Sequence, residues 1–302
     1  MQSTIRTGVL EATSAEPQRP GEMAMPYVDG VEHRCAQVEG LRIHYAEAGR
    51  GEPVVLLHGW PQHWWSWRHI IGPLARDYRV ICPDVRGLGW SAGSPDGYSI
   101  ARLARDVADL LDALGIENAR LIGHDWGNLT GYQACLTWPE RFSKFVALGG
   151  VHPWTASGSA LRVFARPWHV YLLALIGQRG TTTPGIARHC LRTWRYSGRF
   201  TTSELEVYLA AIRRPVSANA THRFDRNILF HEISHYARHY RLLRQRVPTL
   251  HLNGEKDPLT RGVSLSYRDY ADEMRLELIP DCGHFIAEER PEWLLERIGR
   301  FL

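Results

Sequence analysis

The sequence predicts an α/β fold in which a mostly parallel sheet is flanked by helices and interrupted by one inserted helical block. Short apolar runs closed by Gly or Pro alternate with segments of helical periodicity. The strand signal stops after Gly150 and resumes at Val247, and the stretch between reads as helices and loops rich in arginine. A chain of 302 residues that is 44% hydrophobic and 23% charged is long enough to bury a sizeable core.

Taken in order, residues 1–30 are rich in Ser, Thr, Glu, Pro and Gly without periodicity and read as a flexible leader, with Met23 or Met25 as alternative starts. From Val31 the runs LRIHYAEAG, PVVLLHGWP, YRVICPDVRGLG, ARLIGHDWG and FSKFVALGG read as buried strands. Ile100, Leu103, Val107, Leu110, Leu111 and Leu114 repeat at three-and-four spacing behind Ser99, predicting a helix with a serine N-cap. Two further strands follow, in VPTLHLNG and MRLELIPDCGH. The expected organisation is a core of residues 31–152 and 245–302, with a helical cap over residues 153–244.

Composition removes several function classes. The net charge of +4 is mild and no Lys/Arg run is interleaved with aromatics, so nucleic acid is not the expected partner. No stretch of about 18 apolar residues and no signal-type apolar segment occurs, which argues against a membrane span or standard secretion. Five scattered cysteines, none in a CxxC pair, read as reduced thiols in a cytoplasmic protein. Most of the 11 tryptophans read as packing. The cap block carries fourteen arginines against Glu204, Glu206, Asp225 and Glu232. That excess reads as solvated helix faces, or as attraction for an anionic or carrier-bound ligand.

The chemistry centres on Gly123-His124-Asp125-Trp126-Gly127, where a strand runs through a Gly-x-x-x-Gly turn into a helix. This is the nucleophile-elbow arrangement with aspartate where serine is usual. Small residues are needed at both ends, because the central residue is held strained with its side chain above the sheet. His58-Gly59-Trp60-Pro61 follows an earlier strand, so the backbone N–H groups of Trp60 and Trp126 can form an oxyanion hole. Asp257 and His284 each follow a later strand, giving the chain order nucleophile, acid, histidine. His58, Pro61 and Trp126 are the expected substrate contacts.

From Val31 to Leu302 the chain resembles the epoxide hydrolase and haloalkane dehalogenase branch of the α/β-hydrolase superfamily, closest to the epoxide hydrolases. The likeness is carried by His58-Gly59-Trp60-Pro61, Asp84-Val85-Arg86-Gly87-Leu88-Gly89-Trp90-Ser91, Gly123-His124-Asp125-Trp126-Gly127 and Pro139-Glu140-Arg141, with the 153–244 block matching the cap. It implies no cofactor and no metal. A carboxylate suits displacement at an sp³ carbon, giving an alkyl ester on Asp125 that His284, oriented by Asp257, hydrolyses through water. The expected reaction is opening of a small apolar or aromatic epoxide to a vicinal diol. The alternatives are haloalkane dehalogenation, for which such relatives use the Trp after the nucleophile plus a second Trp or Asn, and a recruited non-hydrolytic role on a specialised metabolite. Trp126 argues against haloacetate, since those relatives place Arg there, and the lack of Ser at 125 argues against a general esterase.

The resemblance implies two cap tyrosines that protonate the leaving oxygen, and here the pattern departs. His169 follows Trp168 where Tyr is usual, with Tyr171 two further on, and Asp225 stands at the second tyrosine. Candidate donors are Tyr171, His169, Tyr236 or a protonated Asp225. One competing signal, His231-Glu232-Ile233-Ser234-His235, matches H-E-x-x-H, but no third ligand has a recognised spacing and it reads as an exposed cap helix. His124 and Cys282 read as structural, and Asp84 and Arg86 as holding the loop near the oxyanion turn.

Overall fold

A computed structural model describes residues 9–10, 23–154, 167–176, 182–232, 243–261 and 270–302. Nine strands form one sheet: β1 (Val9–Leu10), β2 (Glu32–Val38), β3 (Leu41–Ala48), β4 (Glu52–Leu57), β5 (Tyr78–Pro83), β6 (Ala119–His124), β7 (Phe142–Leu148), β8 (Thr249–Gly254) and β9 (Met274–Ile279). Their order is β1-β2-β3-β5-β4-β6-β7-β8-β9. Pairing is antiparallel from β1 to β5 and parallel from β5 across to β9.

The central apolar runs become strands because they are buried on both faces; every residue of β8 is buried, whereas in the outer β9 only Met274 and Ile279 are. The sequence reading missed β1 and β2. In Glu32-His33-Arg34-Cys35-Ala36-Gln37-Val38 only Ala36 and Val38 are buried, so β2 lacks the continuous apolar run that marks a central strand.

Helices α1 (Arg68–Leu74), α2 (Ile100–Ala113) and α3 (Trp126–Thr137) cover the sheet. Ser99 caps α2 by accepting from Arg102 N–H at 3.1 Å, and Ile100, Leu103, Val107, Leu110 and Leu111 form its buried stripe. The insertion supplies α4 (Trp168–Ile176), α5 (Thr182–Thr193), α6 (Thr202–Ile212) and α7 (Pro215–Asn227), which ends in a π turn at Ile228–Glu232. After β9 come α8 (Ile286–Glu289) and α9 (Pro291–Gly299). No described helix is long and apolar enough to cross a membrane, and all five cysteines are unpaired thiols.

Apolar side chains gather in three clusters: one on each sheet face, and a third between the sheet's C-terminal edge and the cap helices. The expected leader does not extend to residue 30. Met25 and Val28 pack on the cluster beside α1 and α9, and Trp90 Nε1–H donates to Met23 O at 3.2 Å. A buried network fastens the cap to the core. Arg68 lies 2.7 Å from Glu204 of α6 and 2.7 Å from Glu288 of α8, and the Tyr208 hydroxyl donates to Glu288.

The topology fixes where a site can form. From β4 the chain steps to β5 on one side and then crosses to β6 on the other, so the loops after β4 and β6 open a crevice at the strands' C-terminal ends.

Candidate active site

Asp125 sits between β6 and α3 with φ 54° and ψ −110°, a backbone conformation rare for a residue with a side chain. The turn is forced by close packing. A Cβ on Gly127 would meet Leu57 O at 2.2 Å, and one on Gly59 would meet the Asp125 Cβ at 2.3 Å. The backbone is pinned as Asp125 N–H donates to Leu148 O at 3.1 Å while its carbonyl accepts from Asn128 and Leu129. The side chain therefore projects over the sheet edge, 19% accessible.

Its carboxylate meets the expected partners. Trp60 N–H donates to Oδ1 at 2.8 Å, and the backbone N–H of Trp126 also bonds the carboxylate. His284 Nε2 lies 3.6 Å from Oδ2, within charge-pairing reach but beyond a good hydrogen bond. On the ring's far side Nδ1–H donates to Asp257 Oδ2 at 3.2 Å. Asp257 is fully buried and accepts from Leu259 N–H at 2.8 Å and the Thr260 hydroxyl at 2.9 Å. The structure thus brings Asp125, His284, Asp257, Trp60 and Trp126 together.

Burial opposes an imidazolium at His284, but the charges of Asp257 and then Asp125 outweigh it and lift the group to about 10. Burial likewise opposes charge on Asp125 and Asp257, and in each case His284 overrides it and holds the carboxyl below its ordinary value. All three shifts run in the direction that favours an imidazolium between two carboxylates.

Several residues hold this geometry. His58 was expected against the substrate; it is fully buried. Its Nδ1–H donates to Gly59 O at 3.0 Å and its Nε2 accepts from Val85 N–H at 3.0 Å, so both nitrogens fix the loop that presents Trp60 N–H. Pro61 is buried and follows a cis peptide bond from Trp60. Asp84 accepts from Trp64 N–H and Trp90 N–H at 2.9 Å each and from His44 Nδ1 at 2.7 Å, and so braces the loop as expected. Arg86 does not; it pairs with Asp106 of α2.

Sequence reasoning missed Glu289. One Oε accepts from Tyr196, Ser197 and Gly283 N–H at 2.9 Å each, and the other from Phe285 N–H at 3.0 Å. Glu289 thereby ties the residues flanking His284 to the cap loop, and His284 N–H donates to Trp194 O at 2.9 Å in the same junction. His124 Nε2–H donates to the His284 carbonyl at 2.8 Å, and Cys282 is buried in the core. A Glu-Glu pair before Arg-Pro carries no signal in sequence that its second member accepts four backbone N–H groups.

The cap forms an aromatic roof. Phe224 stacks on Trp126 with ring centroids 3.8 Å apart. His169 stacks on Trp60 at 5.7 Å and meets Trp194 edge-on at 4.6 Å; Trp194 in turn lies 5.3 Å from His284. The Trp60 ring N–H donates to Thr221 Oγ1 at 3.1 Å, while that of Trp126 has no acceptor among the described residues.

Of the candidate donors, His169 is brought to the roof, and burial lowers it to about 4, so it is neutral. Tyr171 is half-buried and does not share that position; two residues along a helix turn it about 200° away from His169. Tyr236 lies outside the described residues, as do His235 and His239 of the H-E-x-x-H segment. Glu232 of that segment accepts from Ile100 N–H at 3.1 Å and so caps α2. Among the cap arginines, Arg188 and Arg213 pair with Glu206, Arg195 bonds Ser197 O and Glu288 O, and Arg214 bonds Gly89 O.

The sequence profile described as alpha/beta hydrolase fold matches residues 52–291. The chain belongs to this α/β hydrolase family. It is 26% identical over 281 residues to a soluble epoxide hydrolase of Corynebacterium sp. (strain C12), covering 90% of this chain and 97% of that one. It is 31% identical over 209 residues to a fluoroacetate dehalogenase of Burkholderia sp., covering 64% of this chain and 68% of the relative. The solved structure of the epoxide hydrolase CorEH without ligand superimposes with a TM-score of 0.72 at 26% identity, covering 90% and 98% of the two chains. The protein is an epoxide hydrolase-like enzyme of the α/β hydrolase fold, with a dehalogenase also among its relatives.

Proposed function

We propose that this α/β hydrolase opens apolar or aromatic epoxides to vicinal diols through a covalent alkyl ester on Asp125. The observation that carries the reading is the Asp125 carboxylate, oriented by Trp60 N–H at 2.8 Å and set 3.6 Å from His284 under an aromatic roof. A carboxylate so placed gains nothing by attacking an ester or amide, since an anhydride would result, but displaces a leaving group from an sp³ carbon. The same N–H groups then face the carbonyl of the new ester, where they stabilise the oxyanion of its hydrolysis.

Esterification also switches the role of His284. Neutralising Asp125 removes one of the two charges that hold the imidazolium, so the ring sheds its proton and becomes the base for the hydrolytic water. The epoxide is favoured over a halide because the Trp60 ring N–H is engaged by Thr221, leaving one indole donor where a halide site needs two. Trp126 after the nucleophile, with no arginine there, disfavours a haloacetate.

The test is the His284→Gln variant, incubated with styrene oxide, cyclohexene oxide and 1-bromohexane and weighed intact. A whole-epoxide mass increment mapped to Asp125 is expected. An increment of the alkyl group alone would make the protein a dehalogenase. No increment from folded protein would overturn the covalent reading in favour of a non-hydrolytic role.

A further inference from the structure

Opening an epoxide expels an alkoxide, and the tyrosines that would protonate it are absent from their expected places in the cap. We propose that Asp225 is the catalytic acid, carrying the proton that passes to the departing epoxide oxygen; this rests on the epoxide reading above.

Placement is the first support. Thr221, Phe224 and Asp225 share one face of α7, being three and four residues apart. Thr221 meets the Trp60 ring N–H at 3.1 Å and Phe224 stacks on Trp126 at 3.8 Å. Trp60 and Trp126 are the two residues whose backbone N–H groups hold Asp125. The face carrying Asp225 therefore lies over the nucleophile.

Chemistry is the second. Asp225 is 3% exposed and has no hydrogen-bond donor or cation paired with it among the described residues. Arg223 on its own helix bonds Asn219 at 3.1 Å, and Arg226 packs over Phe230 at 5.3 Å. The groups in electrostatic reach of Asp225 are Asp125 from the core and Cys190 of α5, itself near both carboxyl groups; His222 on α7 turns to Leu173 O at 2.9 Å. Burial first, and then the negative charge of Asp125, push the Asp225 carboxyl well above the carboxylate range. Both causes favour the protonated carboxyl, whose O–H has no partner among the described residues, on the helix face that packs on Trp60 and Trp126.

The protons balance over one turnover. An Asp125 oxygen bonds to an epoxide carbon as that C–O bond breaks, and Asp225 O–H gives its proton to the freed oxygen. The Asp225 carboxylate is then reprotonated by the imidazolium that esterification has destabilised, directly or through water. Neutral His284 takes a proton from water, the hydroxide adds to the ester carbonyl, and the diol leaves with one proton while Asp125 returns as carboxylate. The net change is epoxide plus water to diol.

The experiment compares His284→Gln with His284→Gln/Asp225→Asn, timing formation of the Asp125 ester of styrene oxide by quenched-flow mass spectrometry across pH. Loss of the acid should slow ester formation about 100-fold or more. It should also abolish the fall in rate at high pH, which in the His284→Gln background reports Asp225, and leave the half-saturating styrene oxide concentration unchanged. Equal rates and equal pH profiles in the two variants would overturn the assignment of Asp225 while leaving the ester mechanism intact. A slowed rate with the alkaline limb retained would make Asp225 structural and overturn the proposal as well. Failure of His284→Gln itself to form any ester would instead overturn the epoxide reading.

Discussion

Single side chains in this molecule matter through what they fix in place. Asp125, His284 and Asp257 are legible in sequence because each follows a strand within a short motif, and strand ends face one crevice. Glu289 and His58 are not legible, because their work is done on backbone groups brought near only by folding. Glu289→Ala leaves four backbone N–H groups around His284 without their acceptor. A buried donor without an acceptor costs about 1–3 kcal/mol, so with partial rehydration we expect a loss of at least about 3 kcal/mol in urea denaturation. Ester hydrolysis should slow more than ester formation, since the junction sets the His284 ring. A loss below about 1 kcal/mol would show that water replaces the carboxylate fully.

At the scale of elements, the turn from β6 into α3 depends on how closely α3 approaches β4. Gly127→Ala would drive a Cβ to 2.2 Å from Leu57 O, backbone against backbone, and nothing there is a flexible side-chain end. We expect destabilisation of about 3 kcal/mol or more, with loss of activity. Gly72 in α1 is the contrast: it is exposed, and a Cβ there meets nothing within 4 Å. Gly72→Ala should raise stability by about 0.5–1 kcal/mol. Chemical denaturation of both variants checks the pair, and a stable Gly127→Ala would mean that α3 and β4 are not in contact as described. α2 was readable to within a residue because its cap and stripe are local; β2 was not, because an outer strand with a wet face carries no continuous apolar run.

For the whole molecule, buried histidines set the response to pH. Burial lowers His63, His124 and His169 to about 4 and His251 to about 3. The unfolded chain binds protons at these sites near pH 6.5 and the folded chain does not, so stability falls as pH drops from about 6.5 to 4. Asp225 and Asp109, raised by burial, act in the opposite sense, two groups against seven histidines that burial lowers, His33, His58 and His69 being the other three. His284 is raised to about 10, so its contribution is complete below about 6.5 and is lost as pH rises through about 10. Urea midpoints at about pH 4.5, 7 and 9.5 should therefore peak at the middle value. Equal midpoints at about pH 4.5 and 7 would show that these histidines protonate without unfolding.

The sequence by itself determined the α/β-hydrolase architecture, and the strand ends at which Asp125, Asp257 and His284 meet, because apolar periodicity, glycine turns and chain order are local or ordinal properties. Only the tertiary structure decided that the α7 face bearing Thr221, Phe224 and Asp225 packs on Trp60 and Trp126. Asp225 is 100 residues from Asp125 in the chain, and its carboxyl is pushed upward by burial and by a charge that folding brings near it. The same holds for His58, whose sequence position beside the oxyanion turn pointed to the substrate while its packing turns it toward the loop beneath. Motifs record which groups are available, and packing decides which way each one faces and what charge it carries.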